Sequence, residues 1–277
     1  MQTILVPVDF TEAEIHTARY AIHFAKQLGM SKIILFHAID NYIESDSELK
    51  AIDLGWEFYD HVVKERQKDL DEFRDKLLQH DSSVILETQC VALRLRDAIN
   101  DVCKDYNIDV VITGRVYKGE LTESLFGSNI IALANKSETP MIIVPSEAGF
   151  NSLNEILFAY DFNTQTQTTS SAFIKDLFDK TKAKIFVLHT EAHQNNKPQP
   201  SQLANKEFSA LIDQYNPEYH NLPSEDFRLA INEFVSDKKI DLIITIPKKQ
   251  GLFEGLFKKN YTKELAFHSH VPLMVLH

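Results

Sequence analysis

Three short apolar runs in this chain each end on a residue capable of chemistry. Asp9 closes the run Ile4-Leu5-Val6-Pro7-Val8, His37-Ala38 closes Ile33-Ile34-Leu35-Phe36, and Gly114-Arg115 follows Val110-Val111-Ile112-Thr113. An aspartate in that position can accept hydrogen bonds from a polar ligand or cap the helix that follows. Both readings stand for Asp9, while capping is the stronger for its later counterpart Asp161. His37 and His189 end equivalent runs, which invites a catalytic or metal reading, but a hydrogen-bonded structural histidine explains the recurrence better. His268, His270 and His277 cluster late in the chain without the cysteines or carboxylate pattern of a metal site. Cys90 and Cys103 form no CxxC and lack the basic, helix-starting neighbourhood that activates a thiol, so they read as core residues. No GxxxxGK[ST] phosphate loop, GxSxG elbow or HExxH helix occurs, and the chain is not read as a conventional enzyme.

The elements that must carry these residues alternate. Strands are expected at 3–8, 32–38, 83–89, 109–113 and 141–144, and helices at about 12–28, 49–80, 93–105 and 122–135. The helix at 49–80 has apolar Val63, Leu70, Phe73 and Leu77 between charges; its run Lys64-Glu65-Arg66-Gln67-Lys68-Asp69 is a solvated face. Trp56 and Phe58 on that helix are read as core, with a partner-facing surface as the alternative. Continuous runs such as Met141-Ile142-Ile143-Val144 suit strands covered on both faces, hence a parallel sheet wound with right-handed crossovers. In such sheets ligands bind outside the carboxyl ends of the strands, where the strand order switches. That rule singles out Asp9, His37-Ala38 and Gly114.

The pattern then repeats. Ile4-Leu5-Val6-Pro7-Val8-Asp9-Phe10 returns as Ile156-Leu157-Phe158-Ala159-Tyr160-Asp161-Phe162, and Lys32-Ile33-Ile34-Leu35-Phe36-His37 as Lys184-Ile185-Phe186-Val187-Leu188-His189. Beyond a shortened stretch, Asp109-Val110-Val111-Ile112-Thr113 matches Asp241-Leu242-Ile243-Ile244-Thr245, and Pro140-Met141-Ile142-Ile143 matches Pro272-Leu273-Met274-Val275. The shortening falls on the second helix, expected at about 200–214 in the second half. Ordered matches of this kind imply two tandem units, 1–147 and 152–277, joined by the small polar residues between them. The fold class is therefore α/β: two doubly wound, Rossmann-like domains, each with a five-stranded parallel sheet.

With 277 residues, 44% hydrophobic and 25% charged, the chain has the length and composition for two ordinary cores. Its formal net charge of -11 opposes nucleic-acid backbones and anionic membranes as partners. Two cysteines, and no apolar run long enough for a signal or a membrane span, give the expectation of a cytoplasmic protein.

The ordered set Val6-Pro7-Val8-Asp9, Leu35-Phe36-His37-Ala38, Asp109-Val110-Val111-Ile112-Thr113-Gly114-Arg115, Leu125-Phe126-Gly127-Ser128 and Thr139-Pro140-Met141-Ile142-Ile143-Val144-Pro145 resembles the universal stress protein family, in two tandem copies over essentially the whole chain. ATP-binding members carry glycine, two residues, glycine, nine residues, glycine, then serine or threonine. Gly114, Gly127 and Ser128 match, whereas Tyr117 stands at the second glycine, with Gly119 two residues later. By resemblance, Asp9 addresses the adenine or ribose end, the backbone at Ala38 flanks the base, and Gly127-Ser128 offer helix-start amides to phosphate, with Arg115 nearby. The resemblance implies ATP or AMP, with magnesium, as a regulatory ligand of the first domain in a stress-response protein; slow ATP hydrolysis stays open. Gly127-Ser128 read as a plain helix start is the alternative.

In the second half Ile246, Lys259 and Asn260 replace the glycine, glycine and serine, while Gly251 and Gly255 lack the spacing. That half is expected not to bind ATP and to pair with the first as an intrachain pseudo-dimer. Further homodimerisation and protein partners stay open. The alternative function is an interaction scaffold whose ligand sites have both decayed.

Overall fold

The computed structural model describes residues 1–10, 12–39, 48–79, 81, 83–115, 130, 133–134, 136–150, 152–159, 170–189, 206–221, 227–246 and 270–276, with backbone alone for 12–13, 48–59, 115, 189, 206–207, 221 and 227–230. The first half runs β1 (Thr3–Pro7), α1 (Glu12–Leu28), β2 (Lys32–Ala38), α2 (Glu48–Leu78), β3 (Ile85–Val91), α3 (Leu95–Asp105), β4 (Val110–Arg115) and β5 (Met141–Pro145). The second runs β6 (Glu155–Ala159), α4 (Ser171–Thr181), β7 (Lys184–His189), α5 (Lys206–Asp213), β8 (Glu218–Asn221), α6 (Phe227–Lys238), β9 (Leu242–Thr245) and β10 (Leu273–Val275).

The strands form one sheet in the order β3-β2-β1-β4-β5-β10-β9-β6-β7-β8. Pairing is parallel within each half, and the halves meet where β5 and β10 pair antiparallel, Met274 opposite Ile142. Among the described residues each half has its five parallel strands, as expected, and the two sets join edge to edge in one sheet of ten. The apolar runs that suggested burial on both faces are buried: Ile4, Leu5, Val6, Val110, Val111, Ile112 and Met141 are each 0% exposed. The third strand begins two residues later than expected, at Ile85. Of the helix expected over 122–135, only Ile130, Leu133 and Ala134 are described, and they are helical; the second-half helix is described from Lys206.

Helix α1 turns Ala18, Ala21, Ile22, Ala25 and Leu28 inward at helical spacing. It stops at Gly29, whose φ of 60° suits a residue without Cβ, and Met30 N–H reaches back to the Ala25 carbonyl at 2.8 Å. Helix α2 lays Leu70, Phe73 and Leu77 into the same core as Val84 and Leu86. Its Gln67 also accepts a bond from the Cys90 N–H of edge strand β3 at 2.9 Å, giving that strand's backbone a partner.

Corresponding points of the two halves are fastened alike. The Asp109 carboxylate accepts the N–H groups of Gln2 and Thr3 at 2.6 and 2.9 Å, and the Asp241 carboxylate those of Asn154 and Glu155 at 2.8 and 2.9 Å. Asn107 and Lys239, just past α3 and α6, adopt left-handed φ of 52° and 53°. One hydrophobic core runs under α1 and α4 through both halves, joining Ile4, Phe24 and Leu28 to Leu153, Ile156, Phe158 and Phe178. Gln27 bonds the Leu153 backbone twice across the junction, and the Met1 amino group meets Asp176 at 3.2 Å. Among the described residues no helix is long and apolar enough to cross a membrane.

Candidate functional site

From β1 the first half of the chain steps outward through β2 to β3, then returns to β4 on the other side of β1 and continues to β5. The order therefore switches between β1 and β4, and the crevice of a doubly wound sheet opens at their carboxyl ends. Asp9 follows β1 directly, His37 and Ala38 end β2, and Gly114 and Arg115 end β4, so these residues lie at the same rim of three neighbouring strands.

The rim is built upward from backbone. Val8 extends β1 by donating its N–H to the Phe36 carbonyl at 2.8 Å. His37 donates its Nδ1–H to the Val8 carbonyl at 2.6 Å, an assignment forced by the carbonyl being an acceptor alone. Burial holds the His37 imidazolium below its ordinary pKa, so the ring is neutral near pH 7 while its Nδ1–H ties the end of β2 to the Val8 carbonyl. The Phe10 ring packs against it with centroids 4.6 Å apart. Phe10 itself sits at φ 63°, in the left-handed region that bulky side chains avoid.

The group that holds this turn is Glu14, which the reading of candidate residues missed. Its carboxyl oxygens accept the N–H of Asp9 and, at 2.7 Å, that of Phe10. The side chain is 8% exposed, and burial, then the hydrogen bond and charge of the Asp9 carboxyl, raise its pKa to about 9. Glu14 thus reaches back over the start of α1. The spacing Thr11-x-x-Glu14, a capping-box pattern, was the available signal. Asp9 is exposed at the rim.

Gly114 has a different explanation from the one its motif suggests. A Cβ built there would lie 2.2 Å from the Thr17 hydroxyl oxygen, so α1 crosses β4 closely enough that any side chain at 114 would force Thr17 to shift. Gly114 pairs with Val144 and Arg115 with Pro145 along β5, and the Arg115 side chain is outside the described residues. Tyr117, Gly119, Gly127 and Ser128 also lie outside them, as do Asp161, Gly251, Gly255, Lys259, Asn260, His268 and His277. In the second half Ile246 is buried just past β9, and His189 ends β7. The side chains of His189, Trp56 and Phe58 are not described. Cys90 and Cys103 are buried and unlinked, with burial raising both thiol pKa values, consistent with core roles. Among the described residues no three His, Cys, Asp or Glu side chains gather as a metal site.

Comparisons with known proteins agree with this architecture. The sequence pattern of the universal stress protein family matches residues 1–145. A universal stress protein of Methanocaldococcus jannaschii is 25% identical over 155 residues, spanning 51% of this chain and 93% of its own length. The crystal structure of a universal stress protein from Archaeoglobus fulgidus superposes with a TM-score of 0.68 at 14% identity, covering 99% of this chain and 95% of that one. A functionally unknown protein of Pseudomonas aeruginosa gives 0.56 at 13% identity, covering 100% of this chain and 92% of its own.

Proposed function

The chain belongs to the universal stress protein family, and from that premise we propose that its first half binds an adenine nucleotide, ATP or AMP, as a regulatory ligand and not as a substrate for turnover. The observation that carries the reading is the arrangement of Asp9, Ala38 and Gly114 at the carboxyl ends of adjacent strands beside the switch in strand order. The Asp9 carboxylate suits the amino and hydroxyl donors of adenine and ribose. Backbone at Ala38 would line the base. Gly127 and Ser128, with Arg115, are the residues assigned to the phosphates and to any magnesium they carry. Units 1–147 and 152–277 would work as an intrachain pseudo-dimer in the cytoplasm, the second lacking the phosphate glycines and acting through its contacts with the first. Nucleotide binding would then alter which protein partners the pair contacts, without nucleic acid or membrane as partner.

Calorimetric titration of ATP with magnesium into the wild type, Asp9→Ala and Gly127→Trp tests this, with folding followed by circular dichroism. One site per chain, lost in both variants, is expected. Absence of saturation at millimolar nucleotide in the wild type overturns the proposal.

Two observations favour a second reading, an interaction scaffold without a ligand. Thr17 accounts for Gly114 through packing alone, and Tyr117 breaks the family's glycine pattern. Recovery of the same partners by wild type and by folded Gly127→Trp would support the scaffold.

A further inference from the structure

We propose that Glu14 is a positioning residue, the clamp that fixes the Asp9–Phe10 turn and so presents Asp9 at the rim of β1. The ligand in this inference rests on the nucleotide reading above; the clamp does not.

Three observations converge on it. Each residue of the turn is held by something other than its own strand. Val8 receives His37 Nδ1–H on its carbonyl at 2.6 Å, while Asp9 and Phe10 both give their N–H groups to Glu14. Phe10 keeps φ 63° with its ring against His37, a conformation that persists where surrounding contacts over-determine it. Glu14 is buried and reaches the turn from the first turn of α1, a rigid element, so its two acceptor oxygens are fixed before any ligand arrives.

The protonation of the clamp follows from its surroundings. Burial first and the neighbouring Asp9 carboxyl second outweigh the two N–H bonds of the turn, which favour the ionised form, and keep Glu14 protonated up to about pH 9. At neutral pH Glu14 therefore carries no charge. Ionising Glu14 adds a negative charge beside the Asp9–Phe10 turn, where it opposes an anionic ligand. Of the other groups near the turn, His37 is neutral through this range, and Arg66 and Asp69, which act on His37 from α2, oppose each other in sign. Ligand affinity should thus decline as pH rises through about 9.

The full-length chain decides the matter in two measurements on the wild type, Glu14→Ala and Glu14→Gln. The first follows the Asp9 and Phe10 amide resonances by NMR from pH 6.5 to 10, roughly bracketing the Glu14 titration. In the wild type both amides should move with a midpoint near 9, and in Glu14→Gln they should not. The second measures ATP affinity by calorimetry. Glu14→Ala should weaken it about tenfold, and Glu14→Gln, which keeps an acceptor without the charge, should recover most of that loss and flatten the pH dependence. Amides that do not titrate in the wild type overturn the clamp, as does undiminished affinity in a folded Glu14→Ala. Should no chain bind ATP, the nucleotide reading falls while the amide titration still judges Glu14. Should Glu14→Ala fail to fold, the comparison of wild type with Glu14→Gln judges it alone.

Discussion

Gly114 and Thr17 meet so closely that a methyl group on Gly114 would fall 2.2 Å from the Thr17 hydroxyl oxygen. The contact joins the end of β4 to the underside of α1, two elements that also flank the candidate site. Gly114→Ala must therefore shift the Thr17 side chain, α1 or β4, at about 1–3 kcal/mol of stability, the usual cost of overpacking. Making the same change in a Thr17→Ala background removes the nearest atom and should cost less. A double-mutant cycle by urea denaturation checks this; full additivity would show that the two residues do not compete for space.

Glu14 yields a pH dependence of stability whose sign is set. Its pKa rises from 4.5 to about 9 on folding. Between those values the folded chain holds a proton that the unfolded chain has released, so stability falls as pH rises through the window and levels off beyond it. Glu14→Gln has no such proton. Its stability relative to wild type should climb from pH 5 to pH 9, by at most about 1.4 kcal/mol per pH unit. Urea midpoints across that range measure it, and a constant difference would mean that Glu14 is ionised in the native state.

These two residues also mark where sequence reasoning reached its limit. Strands β1, β4 and β5 were legible because strands covered on both faces must be apolar at every position, as Val110-Val111-Ile112 is. Strand β3 was displaced by two residues because an edge strand alternates, exposing Ile85 and Glu87 around buried Leu86, and so leaves a weaker mark. The rim was legible, since Asp9, Ala38 and Gly114 each follow an apolar run. The cause of Gly114 was not, because Thr17 is distant in sequence and the contact exists only once α1 has packed. Glu14 could be found as a spacing from Thr11, but the letters do not disclose that it becomes buried beside Asp9.

Asp109 and Asp241 were visible as matching letters at the head of β4 and β9, and the structure supplies their work. Each carboxylate takes two N–H groups from the residues that open the neighbouring strand. Replacing either by alanine leaves two donors seeking other partners, and should cost about 1.5–3 kcal/mol, the range for hydrogen bonds to a charged group. Asn keeps one acceptor and should lose less. Equal losses at the two sites, measured by thermal denaturation, are expected from the equal geometry; a loss at one site alone would break the correspondence between the halves.

The halves should unfold together. A shared sheet joins them at β5 and β10, and Leu273, Met274 and Val275 face Ile143, Ile142 and Met141 there. A core common to both lies beneath α1 and α4, with Phe24 and Leu28 from one half and Phe158 and Phe178 from the other. Opening one half alone would bare that apolar surface and leave the edge of β5 or β10 without its partner, so partial unfolding is penalised on both counts. Calorimetry should therefore show one transition with equal calorimetric and van't Hoff enthalpies. Gln27 offers the sharper test, because its amide both accepts from and donates to the Leu153 backbone across the junction. Gln27→Ala should destabilise the chain by about 1–2 kcal/mol while leaving the transition single. Two resolved transitions in the wild type would mean that each half is stable without the other, and a splitting seen only in Gln27→Ala would make this one side chain the latch between them.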